Sequence, residues 1–298
     1  MEQNVFEEEL KNRVSSVEGI LAEFLPEETG YQKTIFEALN YSLLAGGKRL
    51  RPLIMREVYS MFGGSGPEIR FLMAAIEMIH TSSLVHDDLP CMDNDLYRRG
   101  KPTTWSKFGE DMGTLAGDAL MIYAFETAAG AFSKTSNPGR VGEAIRVLAS
   151  KTGIYGMIGG QTADVELTGK QMDGEQLEFI YRLKTGALLE ASMMIGGILA
   201  GASEEQTARL ENIARNVGMA FQIRDDILDV TSTLEVLGKP IHSDDKNNKT
   251  TYVTLEGLDK ARADVEAVSE RALETLRSLN YRNEFLEELI RMLITREK

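Results

Sequence analysis

Apolar side chains recur along this chain at spacings of three and four residues. Phe71, Leu72, Ala75, Ile76, Ile79 and Leu84 form one such run, and Leu177, Ile180, Tyr181, Leu188 and Leu189 form another. That period places each run on one face of an α-helix, whereas a half-buried strand would alternate every second residue. Strand-like alternation is scarce and short. Only 7 prolines are present, and Pro26, Pro52, Pro67, Pro102 and Pro138 stand where a helix would start or stop. Further breaks come at GGSGP (63–67), SNPG (136–139) and GAS (201–203), and no linker or repeat divides the rest. With 298 residues, 43% of them apolar, the chain can bury a large core. It is expected to be all-α, a single domain over residues 1–298 with about ten or more helices in one bundle.

Charge narrows the partners. Lys and Arg number 33 against 46 Asp and Glu, a formal net charge of −13. Such a field repels nucleic-acid phosphates and anionic lipid heads, so no nucleic-acid role is expected. It would repel a diphosphate too, unless metal cations reverse the sign locally. The one cysteine, Cys91, excludes an intrachain disulfide framework. The opening MEQNVFEEELKNRV is acidic and amphipathic and does not read as a signal peptide. No apolar stretch reaches the roughly 18–20 residues of a membrane span. The longest, 187–202, is interrupted by Glu190 and Gly196-Gly197. The expectation is a cytoplasmic protein with no membrane span.

Two aspartate clusters carry the chemistry. The first is HDDLPCMDND, His86 to Asp95, directly after the apolar helix that begins near Phe71. The second is QIRDDILD, Gln222 to Asp229, in which Asp225 and Asp229 are four apart and share a helix face. Like charges in that arrangement destabilise an isolated helix, and a divalent cation would offset the repulsion. Carboxylate oxygens suit Mg²⁺, which takes one or two protein carboxylates and completes its shell with water and substrate phosphates. The plain alternative is a pair of solvated acidic faces. Ile227-Leu228 and Leu84-Val85 argue against it, because they make both helices amphipathic. Neither cluster has the glycine and distal Glu of an EF-hand, and no paired Cys or His ligands suit zinc.

Basic groups lie where a diphosphate would need them. GGKRLRP (46–52) places Lys48, Arg49 and Arg51 beside flexible glycines, and RRGKP (98–102) follows the first acidic cluster. Arg suits forked contacts with phosphate oxygens and Lys a point-charge contact. Either run could instead close a helix and complement its dipole.

The ordered set GGKRLRP, His80, DDLPCMDND, RRGKPT, GQTADVE, Lys184-Thr185-Gly186 and FQIRDDILD resembles the trans-isoprenyl diphosphate synthases, and most nearly the bacterial farnesyl and geranylgeranyl diphosphate synthases. The likeness runs from about Ala45 to Thr251, and the 290–298 helix fits it as well. It implies helices around a deep central cavity, the isoprenoid synthase fold, and a homodimer. It implies that Lys48, Arg51, His80 and Arg99 hold isopentenyl diphosphate, and that Arg98, Lys184, Lys239 and Lys249 hold the allylic diphosphate. Three Mg²⁺ would be held by Asp87, Asp88 and Asp93 from one wall and Asp225 from the other, with Asp226 and Asp229 assisting. Thr185 and Gln222 would face the developing allylic cation, and Gln161 and Asp164 would support from behind. The polar, lysine-bearing stretch 233–251 reads as a loop that could close over the site. His86 and His242 have no assigned role.

Within such a family, bulk on the helix before the first Asp pair limits the product. From Asp87 the face runs back through Ser83, with Ser82 beside it and Ile79 and Met78 a turn deeper. Bacterial farnesyl synthases commonly carry an aromatic where this chain has Ser82. A floor lower by one turn, roughly 5 Å, favours a C20 over a C15 product. Met78, Phe125 or a partner-subunit residue could supply a floor instead. Leu96 stands where many relatives continue the acid run. Two alternatives compete: a class I terpene cyclase, which has no reason to keep Lys48, Arg51 and His80, and a non-catalytic subunit of a heteromeric synthase, which would typically lose an acidic motif.

Overall fold

The glycine and proline breaks fall between helices, as the sequence predicts. The computed structural model describes residues 2–231 and 250–295. In chain order the helices are α1 (Gln3–Glu23), α2 (Lys33–Leu43), α3 (Leu50–Met61), α4 (Ile69–Asp87), α5 (Thr104–Phe108), α6 (Glu110–Gly130) and α7 (Pro138–Thr152). They continue as α8 (Met157–Leu167), α9 (Gly174–Ile180), a π-helical segment (Tyr181–Gly186), α10 (Ala187–Ala200) and α11 (Glu204–Thr231). The last are α12 (Tyr252–Glu256), α13 (Leu258–Arg277) and α14 (Glu284–Thr295). Pro138 opens α7 at its first turn, where its missing N–H costs nothing. Among the described residues the only sheet is a two-residue antiparallel hairpin, β1 (Tyr97–Arg98) on β2 (Lys101–Pro102). The all-α expectation holds.

α4 and α10 run through the middle. α4 packs along α6 and α3, and α10 lies against α3, α7 and α11. Leu72, Ala75, Ile76 and Ile79 of the periodic run are fully buried, Phe71 and Leu84 partly, and Met73 and Met78 on other sides of α4 are buried too. α10 is buried nearly all round, from Ala187 to Leu199. The helical run Gly174–Ala200 is long and apolar enough to cross a membrane by length and composition, but 78% of its apolar window is buried inside the protein. Glu190, which interrupts that run, is fully buried on a charged network with Lys151 of α7 and Arg215 of α11. A buried carboxylate survives there only because it is paired.

Candidate functional site

α4 carries the first acidic cluster at its C-terminal end, with Asp87 as its last residue and Asp88 as its cap. The chain then folds back: Asp93 N–H donates to Asp87 O at 2.9 Å, and Met92 and Asn94 N–H donate to Leu89 O at 2.9 and 3.1 Å. Asp87 Oδ1 accepts from Gln161 Nε2 of α8 at 2.9 Å. Burial pushes the Asp87 carboxyl above its ordinary pKa, nearby Lys184 opposes, and Asp93 and Asp88 add to the rise. Asp88 is 3% exposed and takes a forked contact from Arg98, whose Nε and Nη2 lie 2.7 and 2.6 Å from Oδ1.

The two basic runs do not close helices. Arg98 ends β1 and Arg99 begins the hairpin turn, where it donates to Gly46 O. Arg49 caps the start of α3 with φ 49°. Cations at a helix N-terminus oppose its dipole, so dipole complementation fails for GGKRLRP, and an anion is the group such a pole favours. Arg49 is buried, donating to Glu77 Oε1 of α4 at 2.8 Å and to Leu43 O at 2.7 Å. Glu77 is 2% exposed. Its Oε2 and the Nε of Arg51 are buried without a hydrogen-bond partner among the described residues. Burial pulls the Arg51 guanidinium down to about 10, with Glu77 opposing and Arg99 adding. His80 is held neutral: burial, then the field of Arg51, Arg99, Arg49 and Arg98, pulls its imidazole well below the ordinary value. Lys48 is exposed.

A cavity of about 640 Å³ connects these groups. Its lining combines polar groups, among them Arg51, His80, Asp87, Gln161, Glu166, Lys184 and Thr185, with apolar ones, Leu84, Met92, Met121, Met157, Ile158 and Val165. Lys184 and Thr185 also line a smaller adjoining cavity of about 100 Å³ with Asp164, Gln222, Asp226 and Thr251. The two acidic clusters thus border spaces that meet at one turn of the π-helix. Lys184 Nζ lies 2.5 Å from Asp164 Oδ2, and Thr185 Oγ1 donates to Gln222 Oε1 at 3.0 Å. α8 can approach this turn because residue 160 is glycine: a Cβ there would sit 2.3 Å from the Lys184 backbone nitrogen. On α11, Asp225 is half-buried, while Asp226 and Asp229 are each 4% exposed. Asp226 Oδ2 accepts from the Tyr181 hydroxyl at 2.5 Å and from Tyr252 N–H at 2.7 Å.

A family model described as Polyprenyl synthetase matches residues 32–289, most of the chain. The chain belongs to that family. The farnesyl diphosphate synthase of Geobacillus stearothermophilus is 43% identical over 93% of this chain and 93% of its own length. The chloroplastic geranylgeranyl pyrophosphate synthase of Capsicum annuum is 44% identical over 83% of this chain; the chain spans about two thirds of the length of such plastid relatives (67% there). Among solved structures, an FPP/GFPP synthase from Zymomonas mobilis superposes with TM-score 0.86 at 32% identity, covering 97% of this chain and 98% of that one. A geranyltransferase from Helicobacter pylori, complexed with magnesium and isoprenyl diphosphate, gives 0.81 at 31% identity over 99% and 97%. This polyprenyl synthetase is accordingly a prenyltransferase of the short-chain prenyl diphosphate synthase type.

The expected site residues of this polyprenyl synthetase are not all brought to one cavity: Asp88, Arg98 and Arg99 line a small neighbouring one, and Lys48, Asp93, Asp225 and Asp229 line neither it nor the two described above. Arg51, His80, Asp87, Lys184 and Thr185 meet at the large cavity, and Gln222 and Asp226 at the adjoining one. Lys239, Lys249 and His242, with most of the 233–251 stretch, lie outside the described residues, as do 296–298. Ser82 and Met78 require a correction. Both are fully buried against α6: Ser82 Oγ donates to Gly117 O at 2.9 Å, and the Thr127 hydroxyl reaches the Met78 sulfur at 3.7 Å. Ser83, not Ser82, lines the cavity, because Ser82 is rotated about 100° round the helix toward α6. Sequence reasoning missed Glu77, Tyr181 and the methionines that line the cavity. Only the polar interruption of an apolar run marked Glu77.

Among the described residues no three Asp, Glu, His or Cys side chains converge as a metal cage. Mg²⁺ fits this donor set, since it needs only one or two carboxylates when substrate phosphates complete its shell. Burial holds the Asp87 carboxyl up, with Lys184 and Arg98 opposing Asp93 and Asp88, and a bound cation would favour its ionised form.

Proposed function

We propose that this short-chain prenyl diphosphate synthase joins isopentenyl diphosphate to dimethylallyl, geranyl or farnesyl diphosphate, releasing diphosphate and ending at C15 or C20. The carrying observation is one cavity whose lining joins Arg51, Lys184 and Asp87 to the apolar Leu84, Met121, Met157 and Ile158, and which shares Lys184 and Thr185 with the cavity bordered by Asp226. Arg51, Arg99, His80 and Lys48 bind isopentenyl diphosphate; neutral His80 can donate or accept a hydrogen bond there without adding charge. Arg98 and Lys184, with Lys239 and Lys249, bind the allylic diphosphate. Asp87, Asp88, Asp93 and Asp225, with Asp226 and Asp229 assisting, would hold Mg²⁺, about three ions by family likeness, which would supply charge shielding to the departing diphosphate.

Lys184 supplies a fixed cation at that leaving group, aimed by Asp164. Thr185 and Gln222 turn oxygens toward the allylic cation. The isopentenyl double bond, held in line, attacks C1 of the cation to form the new C–C bond. The proton lost from the resulting tertiary cation passes to the departed diphosphate, so no side-chain nucleophile is needed. The apolar lining excludes water from the cation. The small side chain of Ser83 in the cavity wall, with no aromatic there, favours C20.

We further propose that the enzyme works as a homodimer. Leu115 and Ile122 on α6, and Ile158 and Val165 on α8, are exposed and repeat at seven residues on each helix, as an apolar face awaiting a partner would.

The test is product analysis by mass spectrometry of purified protein with Mg²⁺, isopentenyl diphosphate and each allylic starter. Elongated C15 and C20 diphosphates are expected. Allylic diphosphate consumed without isopentenyl diphosphate would make it a terpene cyclase, and a chain inactive on its own would make it a non-catalytic subunit.

A further inference from the structure

Two hydrogen bonds cross from the π-helix to α11. Thr185 reaches Gln222 at 3.0 Å, and Tyr181 reaches Asp226 at 2.5 Å. The donors are four residues apart, and so are the acceptors, in opposite chain directions, so the pair forms a two-rung ladder. Both members of the second rung are buried, Tyr181 at 7% exposure and Asp226 at 4%. The same oxygen, Asp226 Oδ2, also accepts the backbone N–H of Tyr252, which begins α12. The Tyr252 hydroxyl in turn donates to Asp264 of α13 at 2.7 Å. Three segments are therefore joined at one carboxylate oxygen: the turn carrying Lys184 and Thr185, the helix carrying Asp225 and Asp229, and the chain re-entering at α12.

We propose that Tyr181 and Asp226 form a strut that sets the second acidic wall against the Lys184–Thr185 turn, and that Asp226 Oδ2 serves the metal site through this strut and not as a ligand oxygen. Tyr181 is a positioning residue. A carboxylate oxygen has two lone-pair directions, and Oδ2 of Asp226 already accepts from two protein donors. The π-helix bonds residue i to i+5 in place of i+4 and is rare outside single turns within α-helices, so tertiary bonds help to hold it. Tyr181 supplies one at the start of the segment and Thr185 the other one turn on. Removing the hydroxyl would let Lys184 and Asp225 drift relative to each other while the aromatic ring keeps its packing on Met172, Leu177 and Ile180.

This inference rests on the reading of Asp225 and Asp229 as a magnesium wall, and the experiment separates the two. Steady-state turnover of the full-length enzyme is titrated with Mg²⁺ for the wild type, Tyr181→Phe, Asp226→Asn and Asp225→Asn, with a thermal melt of each. Tyr181→Phe is expected to raise the half-saturating Mg²⁺ and the allylic KM by about tenfold or more, the scale of a lost outer partner of a metal site. The KM for isopentenyl diphosphate, bound on α3 and α4, stays put. Asp226→Asn keeps an amide oxygen for both donors and falls in the same range, well short of the loss in Asp225→Asn. Tyr181→Phe that melts lower but titrates like the wild type overturns the strut, and Asp226→Asn as damaging as Asp225→Asn makes Asp226 a ligand. Wild-type turnover that needs no Mg²⁺ defeats the magnesium wall itself.

Discussion

His80 shows how far a residue's state depends on neighbours that sequence spacing cannot supply. The run GGKRLRP was legible as a basic pole, but not which of its cations is free for a ligand. Arg49 is spent on Glu77, 28 positions away, and Arg98 on Asp88, which leaves Arg51 and Arg99 nearest the imidazole. Their field and burial hold His80 neutral, well below its ordinary pKa of 6.5. The consequence for stability has a definite sign. Below 6.5 the unfolded chain takes up a proton that the folded one refuses, so stability is full above 6.5 and falls on acidification toward the folded pKa. Asp87 and Asp88, whose carboxyls burial pushes up, act with the opposite sign and nearer the ordinary carboxyl value of 3.8. Calorimetry between about pH 7 and about pH 5.5 should show the wild-type Tm falling, and His80→Gln falling less. Equal falls would mean that His80 titrates in the fold as it does in the open chain.

At the scale of elements, periodicity located α4, α10 and the breaks around them, because burial of one face is written directly into residue spacing. The π-helix was not legible. Its bonds Tyr181–Asp226 and Thr185–Gln222 reach a helix some forty residues on, and nothing in Tyr181–Gly186 itself marks the change of pitch. Orientation within α4 was only half legible. Helical geometry put Ser83 on the Asp87 face, correctly, but could not say that α6 covers the neighbouring stripe and takes Ser82 out of the cavity. The two serines should therefore respond differently. Ser83→Phe projects a ring into the cavity and should shorten the product by one C5 unit, with little change in Tm. Ser82→Phe must fit a ring where the side chain is fully buried beside Gly117, at an overpacking cost of ~1–3 kcal/mol. It should lower Tm first and shorten the product only if the ring is forced round toward the cavity. Product ratios by mass spectrometry decide it: Ser82→Phe shortening the product at unchanged Tm, with Ser83→Phe silent, would reverse the facing.

For the whole molecule, a net charge of −13 sets the problem that its site must solve. The long-range field opposes any diphosphate, so affinity has to be local. Arg51 and Lys184 line the large cavity with His80 and Asp87, and Arg98 and Arg99 act on that pair from a neighbouring cavity. Part of the large cavity's apolar wall is exposed in one copy of the chain. Ile158 and Val165 belong to it and are 37% and 52% exposed, and Ile122 beside Met121 is 70% exposed. A second copy laid across α6 and α8 would bury these side chains and complete the wall, whereas an isolated chain leaves a water path to the bound tail. Ile122→Lys puts a charge at the centre of that face without touching the diphosphate-binding residues. Light scattering after size exclusion should find the wild type dimeric and Ile122→Lys monomeric at micromolar concentration. The monomer should retain its KM for isopentenyl diphosphate but lose elongation of the longer starters, whose tails reach the open wall. An Ile122→Lys protein that stays dimeric, or a monomer that elongates farnesyl diphosphate as well as the wild type does, would place the partner surface elsewhere.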